Sequence, residues 1–258
     1  MSYKVDLNCD LGESFGSYKI GNDEAIIPLV TSTNIACGFH ASDPVVMHNT
    51  IQMAKDAVVA IGAHPGYLDL MGFGRRNMVL SRIEVKTYVQ YQVSALMGMA
   101  KAQSVKVAHV KPHGALYNMA AIDYELSVAI CEAVKELDDN LIILGLSGSM
   151  LIKAASAIGL KYAQEVFADR GYNEDGTLVD RSAEGAFIHD EQEAVARVIK
   201  MVKSKMVTAV TGVEIPIVAD SICMHGDNDK ALQFVQAIKT GLQEAGIKIL
   251  PLIEVIFN

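Results

Sequence analysis

The chain has 258 residues, 51% of them hydrophobic and 20% charged, with a net charge of −8. That content suits one α/β domain spanning residues 1–258, and the negative balance argues against a nucleic-acid surface. No apolar run reaches the roughly 18 residues of a membrane helix and the first residues lack a signal core, so a cytoplasmic protein is expected. The four cysteines, Cys9, Cys37, Cys131 and Cys223, are scattered without a C-x-x-C pair and read as reduced packing residues.

In chain order, Val5 and Leu7 alternate with Asp6 and Asn8, the period of a strand. That strand runs out into Cys9, Asp10, Gly12 and Glu13. Residues 23–32 suit a short helix interrupted by Pro28. A strand at 33–37 is followed at once by Gly38-Phe39-His40. Ser42 or Asp43 before Pro44 starts a helix that runs to about Asp56. The next strand, 58–61, gives way to Gly62-Ala63-His64-Pro65-Gly66. A loop over 67–80 carries Gly72-Phe73-Gly74-Arg75-Arg76, and Ser81 with Glu84 forms a capping box for a long helix.

A strand at 105–110 ends in Lys111-Pro112-His113-Gly114. A helix over 123–137, a strand at 141–144 and a helix from Ser149 to Gly159 follow. The strand at 162–167 ends in Ala168-Asp169-Arg170. Residues 168–189 are irregular around the turn signal Asp175-Gly176, a candidate hairpin, and loops of that length are usually functional. A helix over 190–205, a strand at 217–224 ending in His225-Gly226-Asp227, a helix over 228–246 and a last strand at 247–250 complete the chain.

Alternating strands and helices imply a parallel sheet, either a closed (β/α) barrel or an open doubly wound sheet. The length suits the barrel, and no Gly-x-Gly-x-x-Gly follows the first strand. Barrel chemistry sits at the C-terminal strand ends. Here those ends carry Asp10, His40, His64, His113, Asp169 and His225. Such a cluster supports general acid–base hydrolysis, or a metal held by one carboxylate and two imidazoles; spacing alone does not choose. Arg75, Arg76 and Lys111 suit a carboxylate or phosphate. No Gly-x-x-x-x-Gly-Lys-Ser/Thr is present, so ATP, if used, is not held by a P-loop of this chain.

Several stretches resemble the LamB/YcsF family. They are Asp6–Glu13, Asn34–His40, Gly62–Gly66, Gly72–Arg76, Val110–Asn118, Glu165–Arg170 and Ile222–Asp227. One position departs: the family pattern reads Ala-Gly-Asp-Pro after the second motif, and this chain has Ala41-Ser42-Asp43-Pro44. The resemblance implies a distorted (β/α)7 barrel, TIM-like, of the glycoside hydrolase/deacetylase type. It implies the A subunit of an ATP-dependent 5-oxoprolinase that opens 5-oxo-L-proline to L-glutamate with PxpB- and PxpC-type partners. On that reading Asp10 and His113 activate water, and His64 and His225 stabilise or protonate the departing groups. Lys111, Arg75 or Arg170 hold the substrate carboxylate or the phosphate, and Asn8, Glu13, His40 and Asp169 complete the substrate pocket. ATP is a co-substrate, and the resemblance leaves open which subunit binds it. Two other readings stand beside it. One is a stand-alone metal-dependent deacetylase or amidohydrolase, with Asp10, His64 and His113 as ligands. The other is a non-catalytic subunit that only binds the lactam.

Overall fold

Seven parallel strands close into a barrel in this computed structural model, which describes residues 3–224 and 229–257, the side chains of 229–231 excepted. The barrel strands are β1 (Lys4–Leu11), β2 (Ser32–Ala36), β3 (Ala60–His64), β4 (Val107–Val110), β5 (Ile142–Leu146), β6 (Lys161–Phe167) and β9 (Ser221–Met224). Each pairs with the next, and β9 closes the ring by pairing with both β6 and β1. A two-residue strand, β10 (Lys248–Ile249), adds to the start of β1 outside the ring.

The helices are α1 (Asp23–Ile26), α2 (Pro44–Asp56), α3 (Arg82–Ala102), α4 (Gly114–Ile122), α5 (Tyr124–Leu137), α6 (Met150–Ala157), α7 (Glu191–Ser204), α8 (Asp229–Glu244) and α9 (Leu252–Phe257), the last packing Leu252 against Ile142 and Leu144 of β5. The capping signals hold: Ser81 and Glu84 make the reciprocal box, and Asp123, Ser149 and Asp190 each accept from an amide of the first turn. Asp43, not Ser42, caps α2. Ser42 instead sits at φ 76°, where glycine is the residue without a steric penalty. The family's glycine at that position therefore has a backbone reason.

Helix α3 buries Val85, Val89, Val93 and Leu96 against the sheet. Burying each such side chain contributes about 1.5–3 kcal/mol. Its buried Gln92 accepts from the Gly66 amide and donates to the Gly66 carbonyl, fixing the turn that follows β3. Among the described residues no helix is long and apolar enough to cross a membrane.

Some elements differ from the sequence reading, while the candidate hairpin at Asp175-Gly176 is present. Helix α4 follows β4 directly; it begins on a glycine, lacks a side-chain cap and is apolar on most faces, so it shows no clean helical stripe. Strands β7 (Met206–Thr208) and β8 (Glu214–Pro216) form an antiparallel hairpin, and the expected strand from 217 shortens to β9 because Ile217 bonds back to Lys205. The 168–189 stretch is a strap pinned by antiparallel bridges Arg170↔Phe187 and Tyr172↔Leu178 across the Asp175-Gly176 turn.

Candidate active site

The barrel's parallel register stacks inward-facing polar residues into a column. Asn8 donates to Glu165 Oε1 at 2.9 Å and to Ser221 Oγ at 2.7 Å. Asn34 donates to Asn8 Oδ1 at 2.7 Å and to Asp10 Oδ1 at 2.8 Å, while its own oxygen accepts from His109 Nε2. Lys111 ends the column beneath the mouth, 2% exposed, with Nζ 3.0 Å from Asp10 Oδ1 and 2.8 Å from Glu165 Oε1. Tyr117 donates to the other Glu165 oxygen. Burial works against the Lys111 charge, but Asp10 and Glu165 outweigh it and hold the ammonium well above the usual lysine range.

Two residues expected at the substrate sit deep in this column. Lys111 has three donors, and Asp10, Glu165, Asn8 Oδ1 and the Cys223 sulfur already surround them. It holds Asp10 Oδ1 at 3.0 Å. Asn8 lies below that lysine, fully buried and off the cavity lining.

Above the column three imidazoles pack together. His64 Nε2 is 3.2 Å from Asp10 Oδ2 and 3.0 Å from His113 Nδ1. His64 Nδ1 lies 2.7 Å from the Lys111 carbonyl, and His113 Nε2 lies 2.8 Å from the Phe73 carbonyl. A carbonyl only accepts, so those two nitrogens carry the hydrogens. The remaining nitrogens, His64 Nε2 and His113 Nδ1, turn toward each other and toward the carboxylates of Asp10 and Glu13. Burial, then the neighbouring His40 and His64, holds His113 well below the usual histidine range. Burial does the same to His40.

His40, also expected at the substrate, lies behind this group. It is fully buried, absent from the cavity lining, and stacks flat behind His113 with centroids 3.6 Å apart and planes 1° from parallel. Glu13 Oε1 faces both rings, 3.4 Å from His40 Nε2 and 3.6 Å from His113 Nδ1. The loop that backs this stack requires glycine: Gly74 has φ 61°, and a Cβ there would stand 2.7 Å from His40 Cβ and 2.8 Å from His113 Cδ2. Phe73, also left-handed at φ 55°, aims its carbonyl at His113.

These groups open on a cavity of about 710 Å³, lined among others by Asp10, Glu13, His64, Lys111, His113, Arg75 and Arg170. Sequence reasoning missed Arg181, brought to the wall by the strap. Arg170 and Arg181 both lie over the Phe187 ring, at 5.1 and 5.4 Å, and Arg75 over Phe73 at 5.0 Å. Two Arg170 donors bond the Val179 and Ala186 carbonyls and so hold the strap. Burial, then repulsion from Arg181, lowers Arg170 from the ordinary arginine range, and Arg75 adds to it. Three guanidiniums near one cavity suit an anionic ligand. Arg76 pairs with Asp69 instead. Asp169 is off the cavity lining and its carbonyl accepts from Ile188. His225 lies outside the described residues. A larger apolar groove, about 980 Å³ between α1, α7 and α8, has no histidine or cation among the described residues of its lining.

For a metal, among the described residues, the ligand atoms that lie within 4.8 Å of one another belong to Glu13, His40, His64 and His113. Asp10, expected in that set, touches it through His64. The flat stack limits the set further. An ion bonded in the plane of His113 at about 2.0–2.1 Å stands far off the plane of His40, so one ion takes at most one of them.

The sequence profile of the LamB/YcsF family matches residues 5–257. The chain belongs to the LamB/YcsF family. Other LamB/YcsF-like chains include the 5-oxoprolinase A subunit of Clostridium beijerinckii, 60% identical over 97% of this chain and 98% of that one. The corresponding 5-oxoprolinase chain of Thermococcus sibiricus is 51% identical over 98% and 99%. Among solved structures, the lactam utilization protein of Thermus thermophilus superposes with a TM-score of 0.91, at 42% identity, covering 96% of this chain and 99% of that one.

Proposed function

We propose that this chain is the A subunit of an ATP-dependent 5-oxoprolinase. It opens 5-oxo-L-proline to L-glutamate beside partner subunits of the PxpB and PxpC type. The names of relatives 51–60% identical along nearly the whole chain support the substrate and the multi-subunit assembly. One observation carries the reading of this chain's own step. Asp10 is pinned through Oδ1 by Lys111 and Asn34 and presents Oδ2 at the floor of a cavity walled by arginines.

A five-membered lactam is a resonance-stabilised amide that water attacks slowly. Phosphorylation of its amide oxygen, with ATP held by a partner, makes the ring carbon electrophilic. Arg75, Arg170 and Arg181 take the substrate carboxylate and the phosphate. Asp10 Oδ2 accepts a proton as the water oxygen bonds to the ring carbon. The carbon–nitrogen bond then breaks as the proton passes from Asp10 to the departing nitrogen, and a second water cleaves the resulting γ-glutamyl phosphate to glutamate and inorganic phosphate. Pre-setting the carboxylate removes its reorganisation from the barrier, and a placed general base is worth about 10²–10⁴ in rate.

The test is a reconstitution with ATP and 5-oxo-L-proline, measuring glutamate and phosphate together. Omitting this chain should abolish glutamate formation while the partners still consume ATP. Glutamate formed at the full rate without this chain contradicts the proposal. Lactam opening by this chain alone, without ATP, would favour the stand-alone amidohydrolase.

A further inference from the structure

Among the described residues, possible ligand atoms of Glu13, His40, His64 and His113 lie within 4.8 Å of one another. His64 Nε2 and His113 Nδ1 face each other at 3.0 Å, each on a ring whose other nitrogen meets a backbone carbonyl. Glu13 Oε1 stands 3.6 Å from His113 Nδ1, and Asp10 Oδ2 stands 3.2 Å from His64 Nε2.

We infer that this spot binds one divalent transition-metal ion of the zinc class, held by His64 Nε2, His113 Nδ1 and the Glu13 carboxylate. Four features of the site agree. Zinc–nitrogen bonds of about 2.0–2.1 Å place tetrahedral ligands roughly 3.3–3.4 Å apart, and the 3.0 and 3.6 Å separations bracket that edge. Metal-bound histidines donate their second N–H to a carbonyl or carboxylate, and here both do so, to Lys111 and Phe73. Two imidazoles with a carboxylate suit zinc-class ions better than magnesium or calcium, which prefer all-oxygen shells. All three ligands line the cavity, so an ion has a route in and a water has a fourth position to take.

The assignment separates three neighbours by role. His40 is not a ligand, because it stacks flat on His113; it packs the ring from behind and faces Glu13. Asp10 is not a ligand either. It meets His64 from outside the set, where a base beside an ion-bound water belongs. The inference does not depend on the reaction proposed above, since it concerns ion binding alone.

The full chain, purified in metal-free buffer, is loaded with Zn²⁺, dialysed and measured by elemental analysis and calorimetry. Wild type should retain one zinc per chain, and crystals should show an anomalous peak between His64 and His113. His64→Gln and His113→Gln should each weaken zinc binding by about 100-fold. His40→Phe should keep it. Loss of zinc in His40→Phe, with its fold intact by circular dichroism, overturns the ligand assignment. If the glutamine variants do not fold, the wild-type anomalous peak decides. A wild-type chain that retains no zinc, with an ¹⁵N histidine spectrum showing a proton shared between the two rings, overturns the inference. So does equal zinc retention by wild type and folded glutamine variants.

Discussion

Two buried polar regions occupy the same barrel, one above the other, and they are built on opposite principles. In the lower one, Asp6 Oδ1 accepts from Thr31 and Ser32 at 2.7 and 2.6 Å, and Oδ2 accepts from Ser221. Hydroxyls surround the carboxylate, and Ser221 in turn accepts from Asn8. In the upper one, Asp10, Glu13, His64 and His113 bring acceptor atoms together. Among the described residues neither ring nitrogen of His40 makes a hydrogen bond. A closed network specifies the fold; an electron-rich cluster beside a cavity is arranged for something that enters. Lys111 joins the two, with Asp10 on its upper side and Glu165 on its lower.

Breaking that junction should have the largest effect on stability. Lys111→Met leaves Glu165 and Asp10 without their cation and should cost about 3–5 kcal/mol in urea unfolding. Near-wild-type stability would show that the two regions are not coupled through it. Next comes the lower region's own pH dependence. Burial raises the Asp6 pKa from 3.8 to about 6 despite its hydroxyl partners. The folded form holds the proton more tightly than the unfolded chain, so this group withdraws stability as pH rises from about 4 through 6. The full effect is roughly 3 kcal/mol above that window. Asp6→Asn should remove this component, and an unchanged slope of stability against pH would show that Asp6 is not its source.

Gly74→Ala tests the upper region alone. The added Cβ forces His40 and His113 apart at a left-handed position, a cost of about 1–3 kcal/mol with shifted histidine resonances. An unperturbed histidine spectrum would contradict the packing. Ser42→Gly should have the smallest effect. It relieves the left-handed strain and should gain about 0.5–1 kcal/mol, read as a shift in the urea midpoint.

The sequence made the upper region partly legible because period-two strands stop where Gly and His begin. Asp10, His64 and His113 were legible as one group for that reason. What Asp10 needs was not: Asn8 meets Glu165 157 positions away and Ser221 213 positions away, distances that no local pattern spans. The ring tautomers were equally hidden, since the Lys111 and Phe73 carbonyls that set them carry no side-chain signal. His40 occupies a strand end like the others, and only the flat stack behind His113 shows that it is packing. Arg181 sits in the irregular strap, where residue type gave no reason to prefer it over its neighbours.

The comparison of the two regions is tested most directly by Asp10→Asn in the reconstituted reaction. The substitution keeps the shape of the side chain and removes the base. Glutamate formation should fall by about 10²–10⁴, while circular dichroism shows the chain still folded. Glutamate formed at the wild-type rate by Asp10→Asn would contradict the account.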